Sequence, residues 1–193
     1  MKRLLLILIL TLSFQTLAKA DDIKDFQIEG MSIGDSLLDY FTEDVILKDT
    51  GYYDNDKFVY SFIYKHPSFK IYDSLSIAYK PKDKKFTIYS IEASIGYRYN
   101  IEKCHIDKKE IVSQLVKFFD KKKDTYQRNY SGDKSGESKS FITDIDLGKK
   151  SEARVICYDI SEKLTEEKGW WDRLSVIINT GEFSTFLSEK AYN

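Results

Sequence analysis

The chain has 193 residues, of which 30 are Lys or Arg and 31 are Asp or Glu, so its formal net charge at pH 7 is −1. Proteins that bind nucleic acid usually carry a concentrated excess of basic residues, and this balance argues against a nucleic-acid partner. Beyond the N-terminal segment, no stretch is apolar over the roughly 20 residues that a membrane-spanning helix needs. The length suits one ordinary domain or two small fused units.

The first twenty residues have the pattern of a cleavable signal peptide. Lys2 and Arg3 precede an apolar run at residues 4–14, and the segment ends in Ala-Lys-Ala at residues 18–20. This order is typical of secretory signals. Three of the 30 basic residues and none of the 31 acidic ones lie in this segment, so 27 basic and 31 acidic residues remain. We expect a mildly acidic, soluble protein in the periplasm or the medium; the alternative is a buried N-terminal helix or an uncleaved anchor.

Cys104 and Cys157 are the only cysteines of the chain. In an oxidising compartment an even pair is most simply one disulfide. The alternative is two separately buried thiols, because a free Cys packs well as a small hydrophobe. Both cysteines could also be combined with His66 and His105 in a Cys2His2 zinc site, but the spacing lacks the paired short loops of structural zinc sites. The sequence therefore predicts a disulfide and no metal.

The first half is predicted to contain a capped helix followed by three strands. Residues 25–29 alternate as a short strand and turn through Gly30. Ser32, with Asp35 three residues later, has the pattern of a helix N-cap, and the apolar residues of 33–41 form one stripe. Aromatic or β-branched strand candidates follow at residues 58–65, 71–79 and 85–97.

The second half repeats this order. Asp107 is predicted to cap a helix, with Ile106 in a hydrophobic staple and Glu110 completing a capping box. The helix is expected to end at the three lysines of residues 121–123, where positive charge suits the helix dipole. A Gly/Ser-rich hairpin tip is predicted at residues 131–138. Strand candidates follow at residues 141–147, 154–160 and 173–179, and a short helix at residues 182–191.

These elements predict an α+β fold with an antiparallel sheet, two helix-plus-three-strand halves and a short C-terminal helix. The halves cover residues 26–100 and 104–193 of a single domain that begins at residue 21. An antiparallel meander usually leaves one sheet face for a helix and the other for water or a partner. We therefore expect one covered face and one open face.

Residues 28–41, IEGMSIGDSLLDYF, resemble the opening of exported proteins of AT-rich marine alphaproteobacteria, a group with no assigned activity. The run at residues 30–32, followed by a helix and antiparallel strands, is also similar to the small lipoprotein of the outer-membrane barrel-assembly machinery and to the modules of β-lactamase inhibitor proteins. These resemblances imply export and, for the second architecture, binding of another protein through a sheet face. The chain lacks the acylated Cys of the lipoprotein, so a lipid tether is not implied.

The sequence contains no recognisable set of catalytic residues. His66 and His105 are the only histidines. The acidic clusters at residues 54–56 and 144–146 could hold a divalent cation, but a turn and a half-exposed strand produce the same patterns. Residues 132–136 lack the G-x-x-x-x-G-K-S/T order of a phosphate loop. The sequence therefore predicts no catalytic residue, metal ligand or cofactor.

The binding residues predicted from the sequence are Trp170 and Trp171. Adjacent aromatics on an extended chain point to opposite sides, so one can be exposed while its neighbour is buried. With 14 tyrosines in the chain, an exposed Trp could form a platform for a sugar or a peptide; the alternative is one core anchor and one partly covered ring.

We expect a periplasmic binding or protein-interaction module whose partner is another envelope protein, a peptide or a glycan. The alternatives are a periplasmic hydrolase using carboxylates or a His, and a structural envelope protein.

Overall fold

A computed structural model describes residues 23–189 and residue 191, so the signal peptide predicted at residues 1–20 lies outside the described residues. In the described part the α-helices are α1 (Glu43–Lys48), α2 (Ile101–Phe119), α3 (Glu162–Lys168) and α4 (Gly181–Glu189). The strands are β1 (Thr50–Tyr52), β2 (Val59–Tyr64), β3 (Ser74–Tyr79), β4 (Ser90–Gly96), β5 (Lys123–Asn129), β6 (Lys139–Gly148), β7 (Ser151–Asp159) and β8 (Arg173–Asn179). The α+β class and the short C-terminal helix are confirmed.

The strands form one antiparallel sheet in the order β1-β2-β3-β4-β8-β7-β6-β5. The last strands of the two halves pair at the centre, from Ser90 opposite Asn179 to Gly96 opposite Arg173. Each half supplies four strands in the described part of the chain, one more than the three predicted after each helix. The short strand predicted at residues 25–29 does not form, and Ile28 makes only an isolated bridge with Met31. The additional strands are β1 and β5, which lie at the two edges. Every residue of β5 is exposed, so this strand has no buried face to produce an apolar alternation.

One face of the sheet carries the main core. Ile111, Leu115 and Phe119 of α2 belong to the same buried cluster as Val155 of β7 and Val176 of β8. Each fully buried side chain of this kind stabilises the fold by about 1.5–3 kcal/mol. The N-terminal segment before α1 contributes to the same cluster, so helices and turns together cover this face.

The helix predicted at residues 33–41 is wrong, because most of this segment forms tight turns with a single 3-10 turn. The backbone N–H of Gly34 donates to the carbonyl oxygen of Ile88 at 2.9 Å, so it bonds to a neighbouring segment instead of to a carbonyl four residues back. Asp35 still accepts the backbone N–H of Ser32 at 2.8 Å. Half of the capping pattern therefore forms without a helix.

Helix α2 begins earlier than predicted. Its N-cap is Asn100, whose side chain accepts the backbone N–H of Lys103 at 3.1 Å. Asp107, the predicted cap, lies inside the helix, where it is buried, accepts the hydroxyl of Tyr97 at 2.5 Å and pairs with Lys103. Ile106, assigned to the staple, is 62 % exposed. The acid read as a helix cap is therefore a buried hydrogen-bond acceptor.

The predicted disulfide joins Cys104 of α2 to Cys157 of β7, with a sulfur–sulfur distance of 2.05 Å. Both residues are completely buried, so the bond links the helical layer to the middle of the sheet. It also excludes the zinc site drawn from these cysteines. The described residues contain no group of three or more His, Cys, Asp or Glu arranged to hold a metal ion.

Helix α4 packs on one end of the opposite face of the sheet. Phe183 and Phe186 form a second, smaller buried cluster with Phe58 and Ala78. Alternation along β3 places Ala78 on the other side from the core residue Ile77. The C-terminal helix therefore packs back onto the sheet, as the sequence predicts. In the described part of the chain, no helix has the length and apolar character needed to cross a membrane.

Candidate functional site: a groove on the open sheet face

The first groove lies on the same sheet face as α4, at the other end of β3. Small residues of adjacent strands line its floor, including Ser74 of β3 with Ser94 and Gly96 of β4. Ser74 is paired directly with Ser94, and the hydroxyl of Ser94 lies 2.8 Å from that of Ser175 on β8. Because these side chains are short, the longer ones beside them rise above the floor as walls. The groove is shallow and open to solvent, with a volume of about 460 Å³.

Exposed aromatic rings form the walls. Phe62 and Tyr64 come from β2, and Trp170 and Trp171 come from the connection between α3 and β8. Their exposed fractions are 42 %, 53 %, 40 % and 36 %, respectively. The structure thus places both predicted Trp residues in one groove, and neither is a core anchor. Contiguous exposed apolar surface commonly marks an interaction site, while the binding role of the two Trp residues stays a prediction.

Two arginines of the groove lie against aromatic rings. The guanidinium of Arg98 is 5.7 Å from the ring centre of Trp171, and that of Arg173 is 4.1 Å from the ring centre of Tyr158 and 5.5 Å from that of Tyr130. Burial and the nearby carboxylate of Glu92 raise the pKa of Tyr158, and the positive charge of Arg173 opposes this shift. Contact with a ring occupies a face of the guanidinium and leaves edge N–H groups for a ligand.

A glycine and an aspartate fix the Trp171 side of the groove. A Cβ added at Gly96 would lie 2.9 Å from the indole nitrogen of Trp171, so only glycine lets the ring approach the strand this closely. The backbone N–H of Gly96 donates to the carboxylate of Asp73 at 2.8 Å. Asp73 therefore stabilises the framework of the groove, joining the end of β4 to the residue that precedes β3.

A second groove, of about 500 Å³, lies beside the first and shares Trp170 with it. Its walls are α3 and the turn between β5 and β6. In that turn, Asp133 accepts the backbone N–H groups of Ser135 at 2.9 Å and Ser138 at 3.0 Å. The hydroxyls of the same serines also donate to it, and these bonds hold the pKa of Asp133 well below its usual range. Residues 131–138 thus form the predicted hairpin tip.

The other residues singled out in the sequence do not line either groove. His66 contacts the ring of Phe41 and the hydroxyl of Ser68, whereas His105 packs against Phe141. The histidines thus lie in different surroundings. Asp144 accepts two hydrogen bonds from Arg154, at 2.5 and 3.0 Å, so this carboxylate already has a cation as its partner.

The groove residues that were not identified from the sequence include Phe62, Tyr64, Arg98 and Arg173. The alternation in FVYSFIYK at residues 58–65 already places Phe62 and Tyr64 on one side of a strand. The alternation does not predict which face of the sheet the helices cover.

Comparisons with protein-family models, curated proteins and solved structures find no match to this chain, so a function has to be argued from the groove itself.

Proposed function

We propose that this protein is an exported binding module that holds a segment of another protein in the groove on its open sheet face. The observation that carries the proposal is the set of residues lining that groove. Its walls are Trp, Tyr, Phe and Arg, and its floor is Ser and Gly. Residues that dominate the energy of protein–protein interfaces are enriched in Trp, Tyr and Arg, and antibody paratopes combine Tyr, Ser and Gly with Trp and Arg in the same way.

Physical reasons favour these residue types for binding a polypeptide. An aromatic side chain offers a large contact area with few rotatable bonds, so little conformational entropy is lost when a partner covers it. Serine hydroxyls can donate or accept hydrogen bonds, which suits the backbone groups of a peptide. The framework is also rigid, because the floor belongs to central strands of the sheet. A preformed groove reduces the cost of ordering on binding.

Export is supported by two observations of different kinds. The first twenty residues have the pattern of a secretory signal, and the buried disulfide is the form that cysteines take in an oxidising compartment. Expression in a bacterial host followed by fractionation tests this directly. We expect the intact mass of the periplasmic protein to correspond to a chain that starts near Asp21. A full-length chain in the cytosol with free thiols would contradict export.

The binding role is tested by selecting random peptides displayed on phage against the purified, oxidised protein. Enriched peptides are then measured against a groove variant, Phe62→Ala with Tyr64→Ala, and a matched control, Tyr52→Ala with Ile106→Ala. The control removes two apolar side chains that are 76 % and 62 % exposed and lie outside both grooves.

We expect the groove variant to weaken binding by about 100-fold, since truncating each contact residue at an interface centre costs on the order of 1–2 kcal/mol. The control should bind like the wild type. Because all four side chains are exposed, thermal unfolding should show that both variants remain folded. Peptides that bind all three proteins equally, or a selection that enriches none, would refute the proposal.

A further inference from the structure

We infer that the partner segment is acidic and extended, and that it runs from the first groove across Trp170 into the second. This inference rests on the proposed function and adds the chemistry and path of the partner. It is carried by the charges that line the two grooves and by the residue that they share.

The grooves have a local excess of positive charge. Six basic side chains line them: Lys65, Arg98 and Arg173 in the first, and Lys134, Lys163 and Lys168 in the second. Three acidic side chains face them: Asp73, Asp133 and Glu167. The whole chain has 30 basic and 31 acidic residues. Basic side chains are therefore concentrated in the two grooves, where they outnumber acidic ones two to one, although the chain as a whole is nearly neutral.

Two of the three acids are already engaged within the protein. Asp73 accepts the backbone N–H of Gly96, and Asp133 accepts hydroxyl and backbone donors from Ser135 and Ser138. Their carboxylates therefore serve the framework of the grooves. The cations have no carboxylate partner: within residues 23–189 and 191, no ion pair includes any of the six basic side chains. Arg173 also donates a long hydrogen bond, of 3.4 Å, to the neutral hydroxyl of Tyr130.

Unpaired cations held along a cleft raise the local concentration of anionic partners and speed their association. The arginines are further suited to carboxylates, because a guanidinium presents a planar fork of N–H donors that matches both carboxylate oxygens. Charge complementarity thus favours Asp and Glu side chains in the partner.

The shared ring of Trp170 sets the path of the partner. Trp170 lines both grooves and is 40 % exposed, so a ligand that crosses from one to the other passes over it. The Trp170 ring also makes an edge-to-face contact with Tyr130, with 6.2 Å between the ring centres. A linear chain with an apolar side chain over Trp170 and acids on either side would contact both sets of cations.

An acidic polypeptide fits this lining better than an acidic polysaccharide does. Phe62 is 42 % exposed and carries no polar atom, so it offers no hydrogen bond to the hydroxyls at the rim of a uronic acid, whereas an aliphatic or aromatic side chain needs none. An anionic polysaccharide is therefore the competing outcome of the test.

The test uses the intrinsic fluorescence of the protein. The chain contains only 2 Trp residues, and both lie in the grooves, so the emission excited at long wavelength reports on these two grooves. The probes are a glutamate–tyrosine copolymer, a lysine–tyrosine copolymer and polygalacturonate, each titrated at low and at physiological salt. The charge variant is Lys163→Glu with Lys168→Glu. Its matched control is Lys117→Glu with Lys122→Glu, two exposed lysines at the end of α2 and the residues beyond it.

We expect the glutamate–tyrosine copolymer to shift the emission and to bind more weakly as salt screens the charges. The charge variant should lose about tenfold in affinity, equivalent to about 1.4 kcal/mol, and the control should lose none. The Phe62→Ala, Tyr64→Ala variant should also bind this copolymer more weakly, because the ligand occupies both grooves.

Three results would overturn this inference. The proposed function is decided separately, by the peptide selection. Equal or tighter binding of polygalacturonate would show that the ligand is not a polypeptide. Groove-dependent peptides without acidic residues, or a preference for the lysine–tyrosine copolymer, would show that the partner is not acidic. Loss of affinity in only one of the two groove variants would show that the ligand does not span both grooves.

Discussion

Removing the bond between Cys104 and Cys157 should cost a large part of the stability of this protein. The two residues are separated by 53 positions, and the chain-entropy relation for a loop of that length gives about 4 kcal/mol at 25 °C. Domains are typically stable by about 5–15 kcal/mol, so the loss would be severe. For a chain of this size, about 4 kcal/mol corresponds to a fall in Tm of about 8–16 °C.

The assay is urea unfolding of three samples: oxidised wild type, wild type unfolded and refolded under reducing conditions, and the Cys104→Ala, Cys157→Ala variant. Oxidised and reduced wild type have the same sequence, so their difference isolates the covalent link. The Ala variant adds the loss of two buried sulfur atoms, since both side chains are completely buried. We also expect the m-value to rise without the bond, because the unfolded chain then exposes more surface.

A difference below about 1 kcal/mol between oxidised and reduced wild type would refute the loop-entropy reasoning behind this expectation. It would mean that the unfolded chain already holds these segments together. If only the Ala variant were destabilised, packing of the sulfur atoms would account for the stability instead of the link. A large difference with an unchanged m-value would place the effect in the folded state.

Three further predictions concern the framework around the sheet. The carboxylate of Glu29 accepts the backbone N–H groups of residues 70–72 at 2.8–3.0 Å, so Glu29→Ala should lower the free energy of unfolding in urea by about 2–3 kcal/mol and Glu29→Gln by less; equal losses would show that the carboxylate charge is irrelevant. Because hydrogen bonds lower the pKa of Asp133 in the folded protein, its stabilisation is present above the unfolded pKa of 3.8 and is lost as the pH falls through the folded pKa. Thermal unfolding of the wild type should therefore lose stability more steeply than that of Asp133→Asn as the pH is lowered below 3.8, and parallel curves would contradict this. Phe186, 2 % exposed and in ring contact with Phe58, should cost about 3–5 kcal/mol when replaced by Ala, whereas Leu47→Ala, at a site 48 % exposed, should unfold in urea like the wild type.

Strands with one buried face are well predicted by the sequence, because alternation reports which residues enter the core. The candidate at residues 58–65 matches β2, in which buried and more exposed residues alternate. The candidate at residues 173–179 matches β8, which is buried along most of its length and was predicted from its short β-branched run. Strand β5 was missed since both of its faces are exposed at a sheet edge. The disulfide was predictable because two cysteines that follow a predicted signal peptide leave few alternatives, and the structure confirms the pairing.

Both errors in the helices come from reading local patterns without their partners. The segment at residues 33–41 has an apolar stripe, but Gly34 adopts a φ of +93° and bonds to a strand-like segment that is distant in sequence. Asp107 has the spacing of a cap, but its partner Tyr97 lies outside the helix. Neither interaction can be inferred from the local sequence pattern, because its partner lies outside the segment that was interpreted.

The groove was only partly predictable for the same reason. Trp170 and Trp171 are conspicuous in a sequence with two Trp residues, whereas Arg98 and Arg173 are two among 30 basic residues. Their position beside the rings depends on the central pairing of β4 with β8, which places Gly96 opposite Arg173. Contacts across such a separation in sequence cannot be inferred from composition or spacing.

The place of β8 in the sheet also determines when the fold can be completed. β8 pairs with β4 on one side and with β7 on the other, so it joins two sets of hairpins that can each form from neighbouring segments. The pairing of Ser90 with Asn179 closes a long stretch of chain, and such non-local contacts slow folding. A nascent or clipped polypeptide that lacks residues 173–179 would expose two bare strand edges, which are templates for aggregation. We therefore expect folding intermediates to need protection by a chaperone until this last strand is inserted.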